Sequence, residues 1–180
     1  DVLVLSGGGS HGAFGAGLLK GLRESGRRPA YDVVTGVSTG ALLCTHAFLG
    51  SSEDDAVLER IYTSVTDADV FRGRSLLSLP FSDSLTSLAP LERLVAREVP
   101  DALIDRVAAE SEGRALFVGT VNLDSGLLKP WDMCQLARDR LYSTYRAVLL
   151  ASSSVPALHS PVMIHGAMHV DGGVREQMLL

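Results

Sequence analysis

A serine enclosed by glycines joins a predicted strand to a predicted apolar helix, and this junction constrains the fold more than any other stretch. Residues 36–40 read Gly-Val-Ser-Thr-Gly, after a strand pattern over 31–35 and before an apolar run over 41–49. G-x-S-x-G between a strand and a helix is the layout of a nucleophile elbow, where a sharp turn lifts the serine hydroxyl above the sheet. An ordinary tight turn can carry the same residues, so the interpretation depends on the rest of the chain.

A glycine-rich loop over residues 6–12 stands one strand and one helix before this serine. Residues 1–5 have the pattern of a buried strand, and residues 13–26 place apolar side chains at helical spacing. Strand, helix and following strand form a βαβ unit, which implies two parallel strands and a right-handed crossover. The loop therefore follows the carboxyl end of the first strand, just as Ser38 follows the carboxyl end of the second.

This loop can bind an anion through its backbone. Glycines lack Cβ atoms, so the N–H groups of Gly7, Gly8 and Gly9 can converge on one point and form an oxyanion hole. Two alternatives are a turn that serves only helix packing and a dinucleotide site, since Gly12 completes G-x-G-x-x-G. The dinucleotide fold needs an acid at the end of the second strand, whereas Asp32 stands at its beginning. The sequence therefore favours an oxyanion over a pyrophosphate.

The remaining segments alternate between predicted helices and strands. Helices are predicted from about residue 54 to 65, from residue 90, over 101–111 and mainly over 132–152; strands over 114–124, 127–131, 161–164 and 168–170. Residues 71–90 mix Gly, Ser, Pro, Leu and Phe without a clear period. We interpret this last segment either as a lid or acyl-chain wall or as a plain connecting loop.

Length and charge place the chain in a broad class. Its 180 residues predict one domain over 1–180, and we expect its ends to be truncated because it opens inside a strand. A net charge of −5 without a basic or aromatic stripe argues against a nucleic-acid partner. No apolar run has the roughly 18 to 20 residues that span a bilayer. This absence does not decide the localisation, because a signal peptide or anchor can be lost from a processed chain, so a soluble, a peripheral membrane and an exported protein all stay open.

The cysteines and histidines do not form a metal-ligand pattern. Cys44 and Cys134 are too few for a disulfide framework, and Cys44 belongs to the apolar run after the elbow, where burial is expected. The histidines show neither H-x-x-x-H nor H-E-x-x-H spacing. We therefore predict no structural or catalytic metal.

The candidate base for Ser38 is Asp171. It ends a predicted strand and is followed by Gly172 and Gly173, and the carboxyl ends of strands carry the site in parallel-sheet domains. An α/β-hydrolase triad requires Ser, acid and His in chain order, but no histidine follows Asp171. A serine–aspartate dyad without histidine is the economical interpretation.

The three motifs in this order resemble those of patatin-like phospholipases. Shorter stretches agree with the resemblance, namely residues 6–22, 122–124, 151–156 and 168–170. The resemblance implies an α/β three-layer sandwich with a central, mostly parallel sheet, and a dyad that hydrolyses lipid acyl esters. It implies Ser38 as nucleophile, Asp171 as base and no cofactor. The motif glycines that it covers are Gly7, Gly8, Gly9, Gly12, Gly36, Gly40, Gly172 and Gly173.

The implied partner is a lipid or phospholipid, with transient contact to a membrane surface; the oligomeric state is left open. One departure concerns His11, where the family usually has Arg or Lys. A protonated His11 can replace that charge, or the residue has no part in catalysis. The departure keeps a non-catalytic, lipid-binding domain of the same shape as an alternative to the hydrolase.

Overall fold

The computed structural model describes residues 1–64 and 87–180 of the chain as a central sheet with helices packed against it. The strands are β1 (Val2–Leu5), β2 (Val33–Val37), β3 (Ala115–Asn122), β4 (Leu127–Asp132), β5 (Val162–Ile164) and β6 (Ala167–Asp171). The helices are α1 (Gly12–Glu24), α2 (Thr39–Leu49), α3 (Ser52–Ser64), α4 (Ala89–Glu98), α5 (Asp101–Ala109), α6 (Met133–Arg138) and α7 (Tyr142–Ser152). Short 3-10 turns cover Gly9–His11 and Gly172–Val174.

The strands pair along the path β1-β2-β3-β6-β5. β2 and β6 occupy successive parts of one edge of β3, and β4 pairs with its opposite edge. Strands β1, β2 and β3 are parallel neighbours, β6 is antiparallel to β3, and β5 is antiparallel to β6. Strands β1, β2, β3 and β5 therefore share one direction, as expected for a mostly parallel sheet. The predicted α/β class, the parallel βαβ unit and the hairpin of β3 and β4 are confirmed.

Two element boundaries differ from the sequence predictions for local reasons. Strand β2 continues through Gly36 to Val37, because its ladder with β3 extends as far as Gly119. The predicted helical stretch over 132–152 is divided into α6 and α7, where Arg140 adopts a φ of 55° that no α-helix allows. Most of the predicted irregular segment 71–90, namely residues 71–86, lies outside the described residues. Its last two residues begin α4.

Helix α2 lies at the centre of the core and carries the elbow at its amino end. Ala41, Leu43, Cys44, Ala47 and Phe48 are all buried, and the helix contacts the sheet as well as α1, α3, α5 and α7. A helix surrounded in this way is expected to be mainly apolar on every side, and its buried polar side chains Thr45 and His46 are hydrogen-bonded. The predicted burial of Cys44 is confirmed. Within the described ranges, no helix has the length and apolar character needed to cross a bilayer.

Candidate active site

Ser38 stands in a strained turn between β2 and α2. Its φ of 57° and ψ of −123° lie in a region that residues with a side chain rarely adopt. The flanking glycines allow the backbone to pass closely: a Cβ on Gly40 would lie 2.1 Å from the Leu5 carbonyl oxygen. A Cβ on Gly36 would lie 2.6 Å from the Gly40 oxygen. The turn therefore has the backbone of a nucleophile elbow, with the side chain of Ser38 half-buried.

Strand pairing brings Ser38 and Asp171 together. Strand β2 pairs with the first part of β3 and ends at Val37 opposite Gly119. Strand β6 pairs with the last part of β3 and ends at Asp171 opposite Thr120. Because β4 covers the other edge of β3 along both parts, β2 and β6 lie on the same edge and run toward each other. Their carboxyl ends meet at neighbouring β3 residues, and each end carries one polar side chain.

The two side chains form a short, direct hydrogen bond. The Ser38 hydroxyl donates to Asp171 Oδ2 at 2.6 Å, and the Gly173 N–H donates to Asp171 Oδ1 at 2.7 Å. Asp171 is 4% exposed. Burial raises the pKa of the Asp171 carboxyl above its ordinary range, although the two hydrogen bonds lower it in part. A carboxylate in this position is a stronger base than one in water and already faces the serine proton.

Gly172 lets the Asp171 turn pack directly on β3. A Cβ on Gly172 would lie 2.6 Å from the carbonyl oxygen of Gly119, so a side chain would force the turn away from the strand. Gly173, the next residue, supplies the N–H that holds Asp171. The two glycines after the aspartate thus have different roles: Gly172 permits close packing on β3, and Gly173 donates a hydrogen bond to Asp171.

The glycine loop lies beside Ser38 and is tied to the elbow. A Cβ on Gly7 would lie 3.2 Å from the Ser38 Cβ, and the Thr39 hydroxyl donates to the Gly9 carbonyl at 2.9 Å. The Gly7 N–H donates to the Gln177 carbonyl at 2.9 Å, so this amide has a partner within the protein. Across residues 1–64 and 87–180, no acceptor receives the N–H of Gly8 or Gly9. These two exposed amides are the loop donors that can face an anion.

Gly12, the last glycine of the loop, has a packing role. A Cβ there would lie 2.3 Å from the Tyr62 hydroxyl oxygen, so the residue lets the start of α1 approach α3. His11 is exposed on the same turn. Asp32 precedes β2 and pairs with the amino terminus of Asp1, at the end of the strand away from the loop. The structure therefore does not bring Asp32 to the position where a dinucleotide ribose would need an acid.

An apolar cavity of about 200 Å³ adjoins the glycine loop, between β1, α1 and α2. Its lining includes Gly7 of the loop together with the apolar side chains of Leu5, Leu19 and Leu43. Phe14 lines it as well and is 77% exposed, an unusual position for a large aromatic side chain. Among the residues that the structure describes, no group of three or more His, Cys, Asp or Glu side chains could hold a metal ion.

The amino-acid sequence gives the serine run 152–154 no role beyond its part in the resemblance. In the structure these residues contact the backbone of both Ser38 and Asp171. Three consecutive serines after an apolar helix are the signal that the sequence offers, but the pattern does not specify what the hydroxyls contact.

Comparisons with known proteins agree with the fold. The model of the family described as "Patatin-like phospholipase" matches residues 3–179. Among solved structures, VipD from Legionella pneumophila is similar with a TM-score of 0.72 at 12% identity, and the match covers 100% of this chain. The match covers 47% of the VipD chain, so the present chain spans about half of its length. The search of curated proteins found no match.

Proposed function

Because this chain belongs to the patatin-like phospholipase family, a family of lipid acyl hydrolases, we propose that it cleaves fatty acyl esters through a Ser38–Asp171 dyad. One observation carries the proposal: the 2.6 Å hydrogen bond from the Ser38 hydroxyl to Asp171, formed at a strained elbow. A nucleophile in direct contact with a base is the arrangement that acyl transfer needs. The dinucleotide alternative has no comparable support, since Asp32 lies away from the loop.

The first half of the reaction acylates the enzyme. Ser38 Oγ attacks the ester carbonyl carbon, and its proton passes to Asp171 Oδ2 as the new C–O bond forms. The carbonyl oxygen becomes an oxyanion, which the N–H groups of Gly8 and Gly9 bind; one such donor is worth about 2.7 to 4 kcal/mol. The alcohol or lysolipid then leaves with the proton from Asp171, and the acyl group stays on Ser38.

The second half returns the enzyme to its starting state. Asp171 takes a proton from a water molecule, which attacks the acyl carbon and forms the second oxyanion. When the bond to Ser38 breaks, Asp171 returns the proton to Ser38 Oγ and the fatty acid leaves. The raised pKa of Asp171 favours both proton transfers, because a stronger base accepts the serine or water proton more readily.

The apolar cavity supports an acyl substrate. It is lined by Gly7, next to the proposed oxyanion site, and by Leu18 of α1, which is 50% exposed. Apolar lining beside a polar reaction centre fits a substrate with a hydrocarbon chain and an ester group. The phospholipid head group and transient membrane contact are further proposals that follow from the family alone.

Covalent labelling by a fluorophosphonate probe tests the nucleophile. We expect the protein to be labelled at Ser38 and to hydrolyse p-nitrophenyl butyrate, and Ser38→Ala to abolish both. Ser25→Ala, which changes an exposed serine at the end of α1, is the matched control and should retain both. A folded protein that resists labelling but binds phosphatidylcholine vesicles would support the non-catalytic, lipid-binding alternative. Fatty acid release from the same vesicles would extend the activity to phospholipids.

A further inference from the structure

We infer that the serine run 152–154, at the end of α7, positions Ser38 and Asp171 for reaction; the inference rests on the proposed roles of those two residues. We call these three residues the serine clamp. The clamp contacts the nucleophile on both sides of its Cα and contacts the backbone of the base. It does not touch the Ser38 hydroxyl or the Asp171 carboxylate in the described hydrogen bonds, so its proposed role is to position them.

The first contact fixes the amide side of the nucleophile. The Ser38 N–H donates to Ser152 Oγ at 3.0 Å, and Ser152 Oγ donates to the Gly119 carbonyl at 2.7 Å. A hydroxyl has one proton, so Gly119 receives it and an oxygen lone pair accepts the Ser38 N–H. Ser152 is fully buried, which protects both bonds from competition with water. The clamp thus connects the elbow to the point of β3 where β2 and β6 meet.

The second and third contacts fix the other side of the nucleophile and the base. The Ser153 hydroxyl donates to the Ser38 carbonyl at 3.1 Å. The Asp171 N–H donates to the Ser154 carbonyl at 3.0 Å. Three consecutive residues therefore connect the backbones of Ser38 and Asp171, which are far apart in sequence. Their relative position depends on this one segment as well as on their separate pairings with β3.

This arrangement matters because the dyad depends on a strained backbone. Ser38 stays at a φ of 57° only while surrounding contacts enforce that conformation. When the amide bond is lost, the turn can relax, and the hydroxyl moves relative to Asp171. A displacement of about 1 Å in a reacting group can cost on the order of 10² in rate. The cavity is lined by β1, α1 and α2 and not by the clamp, so substrate binding should change little.

The test compares Ser152→Ala with Ser111→Ala in the full chain. Ser111 is an equally suitable buried serine, since its hydroxyl donates to the Ala108 carbonyl and accepts from Arg138, away from the dyad. For Ser152→Ala we expect kcat for p-nitrophenyl butyrate to fall about 10- to 100-fold with KM within about twofold, and labelling of Ser38 to slow equally. Ser111→Ala should retain both rates, even where its thermal midpoint falls.

Substitutions of the half-buried Ser153 provide a second test in case Ser152→Ala fails to fold. Ser153→Ala should lower kcat, and Ser153→Thr should restore it, since threonine keeps the donor to the Ser38 carbonyl. Wild-type kcat and labelling rate in folded Ser152→Ala or Ser153→Ala would overturn the inference. That result, with an inactive Ser38→Ala, leaves the proposed function standing; an active Ser38→Ala refutes the function itself.

Discussion

Replacement of Asp171 by asparagine tests the basicity of this side chain separately from its size and packing. The asparagine side chain has the same size as that of aspartate, and its Oδ1 can still accept the Gly173 N–H, which holds Oδ1 at 2.7 Å in the wild type. Its Nδ2 group takes the place of Oδ2 opposite the Ser38 hydroxyl. An amide nitrogen cannot accept the serine proton, so the nucleophile keeps its proton at the moment of attack. The variant therefore removes proton transfer and leaves the packing of the turn.

The size of the effect follows from the chemistry that is lost. General base assistance is worth about 10² to 10⁴ in rate, which corresponds to about 3 to 5 kcal/mol at 1.36 kcal/mol for each factor of ten. We expect kcat/KM of Asp171→Asn to fall by at least about 10²-fold. In the wild type, kcat/KM should fall as the pH is lowered through the pKa of Asp171, which lies above its ordinary value of 3.8.

The same substitution, which lowers the activity, should raise the stability of the fold or leave it unchanged. Since burial raises the folded-state pKa of Asp171 above the unfolded value, the native state binds more protons between those two values. The contribution of Asp171 to the free energy of unfolding therefore falls as the pH rises through that window, which appears as a difference between the wild type and the variant. The amide of the asparagine variant has no charge to desolvate, so this decline should be absent there. At pH 7 the variant should be at least as stable as the wild type.

Two measurements on each protein check this reasoning. Hydrolysis of p-nitrophenyl butyrate gives kcat/KM between pH 4 and pH 8, and urea unfolding at the same pH values gives the free energy of unfolding. Retention of more than about a tenth of the wild-type rate in Asp171→Asn would refute the assignment of the base. A large loss of stability at pH 7 would refute the claim that the ionised carboxylate is costly to bury.

Two further predictions concern packing and thiol reactivity. Gly40→Ala should destabilise the fold by about 3 kcal/mol in urea unfolding, because its Cβ would lie 2.1 Å from the Leu5 oxygen. Gly17→Ala on open α1 surface should instead be neutral or stabilise by up to about 1 kcal/mol, and equal losses for both would contradict this. Burial raises the pKa of the Cys44 thiol to about 12 and that of Cys134 to about 11. Both should therefore resist Ellman's reagent at pH 8 until urea unfolds the chain, whereas rapid native modification would show that they are accessible.

The local elements of the site can be predicted from the order of the amino acids alone. Hydrophobic pattern and glycine placement predict β1, α1, β2 and α2, because these signals act within one turn or strand. The glycines around Ser38 predict a turn too tight for side chains, and the Cβ positions at Gly36 and Gly40 agree. The missing histidine after Asp171 points to a dyad, and the order of motifs predicts the family that the family model confirms.

The way in which these local elements meet is visible only in the folded protein. The sequence predicts that Asp171 ends a strand, but β6 runs antiparallel to β3 and meets β2 end to end, which brings Ser38 and Asp171 together across 133 positions. It does not predict that the Gly7 amide binds Gln177, or that the serine clamp contacts the dyad. Strand direction and buried hydrogen bonds depend on how distant segments pack together, and a local pattern does not encode that packing.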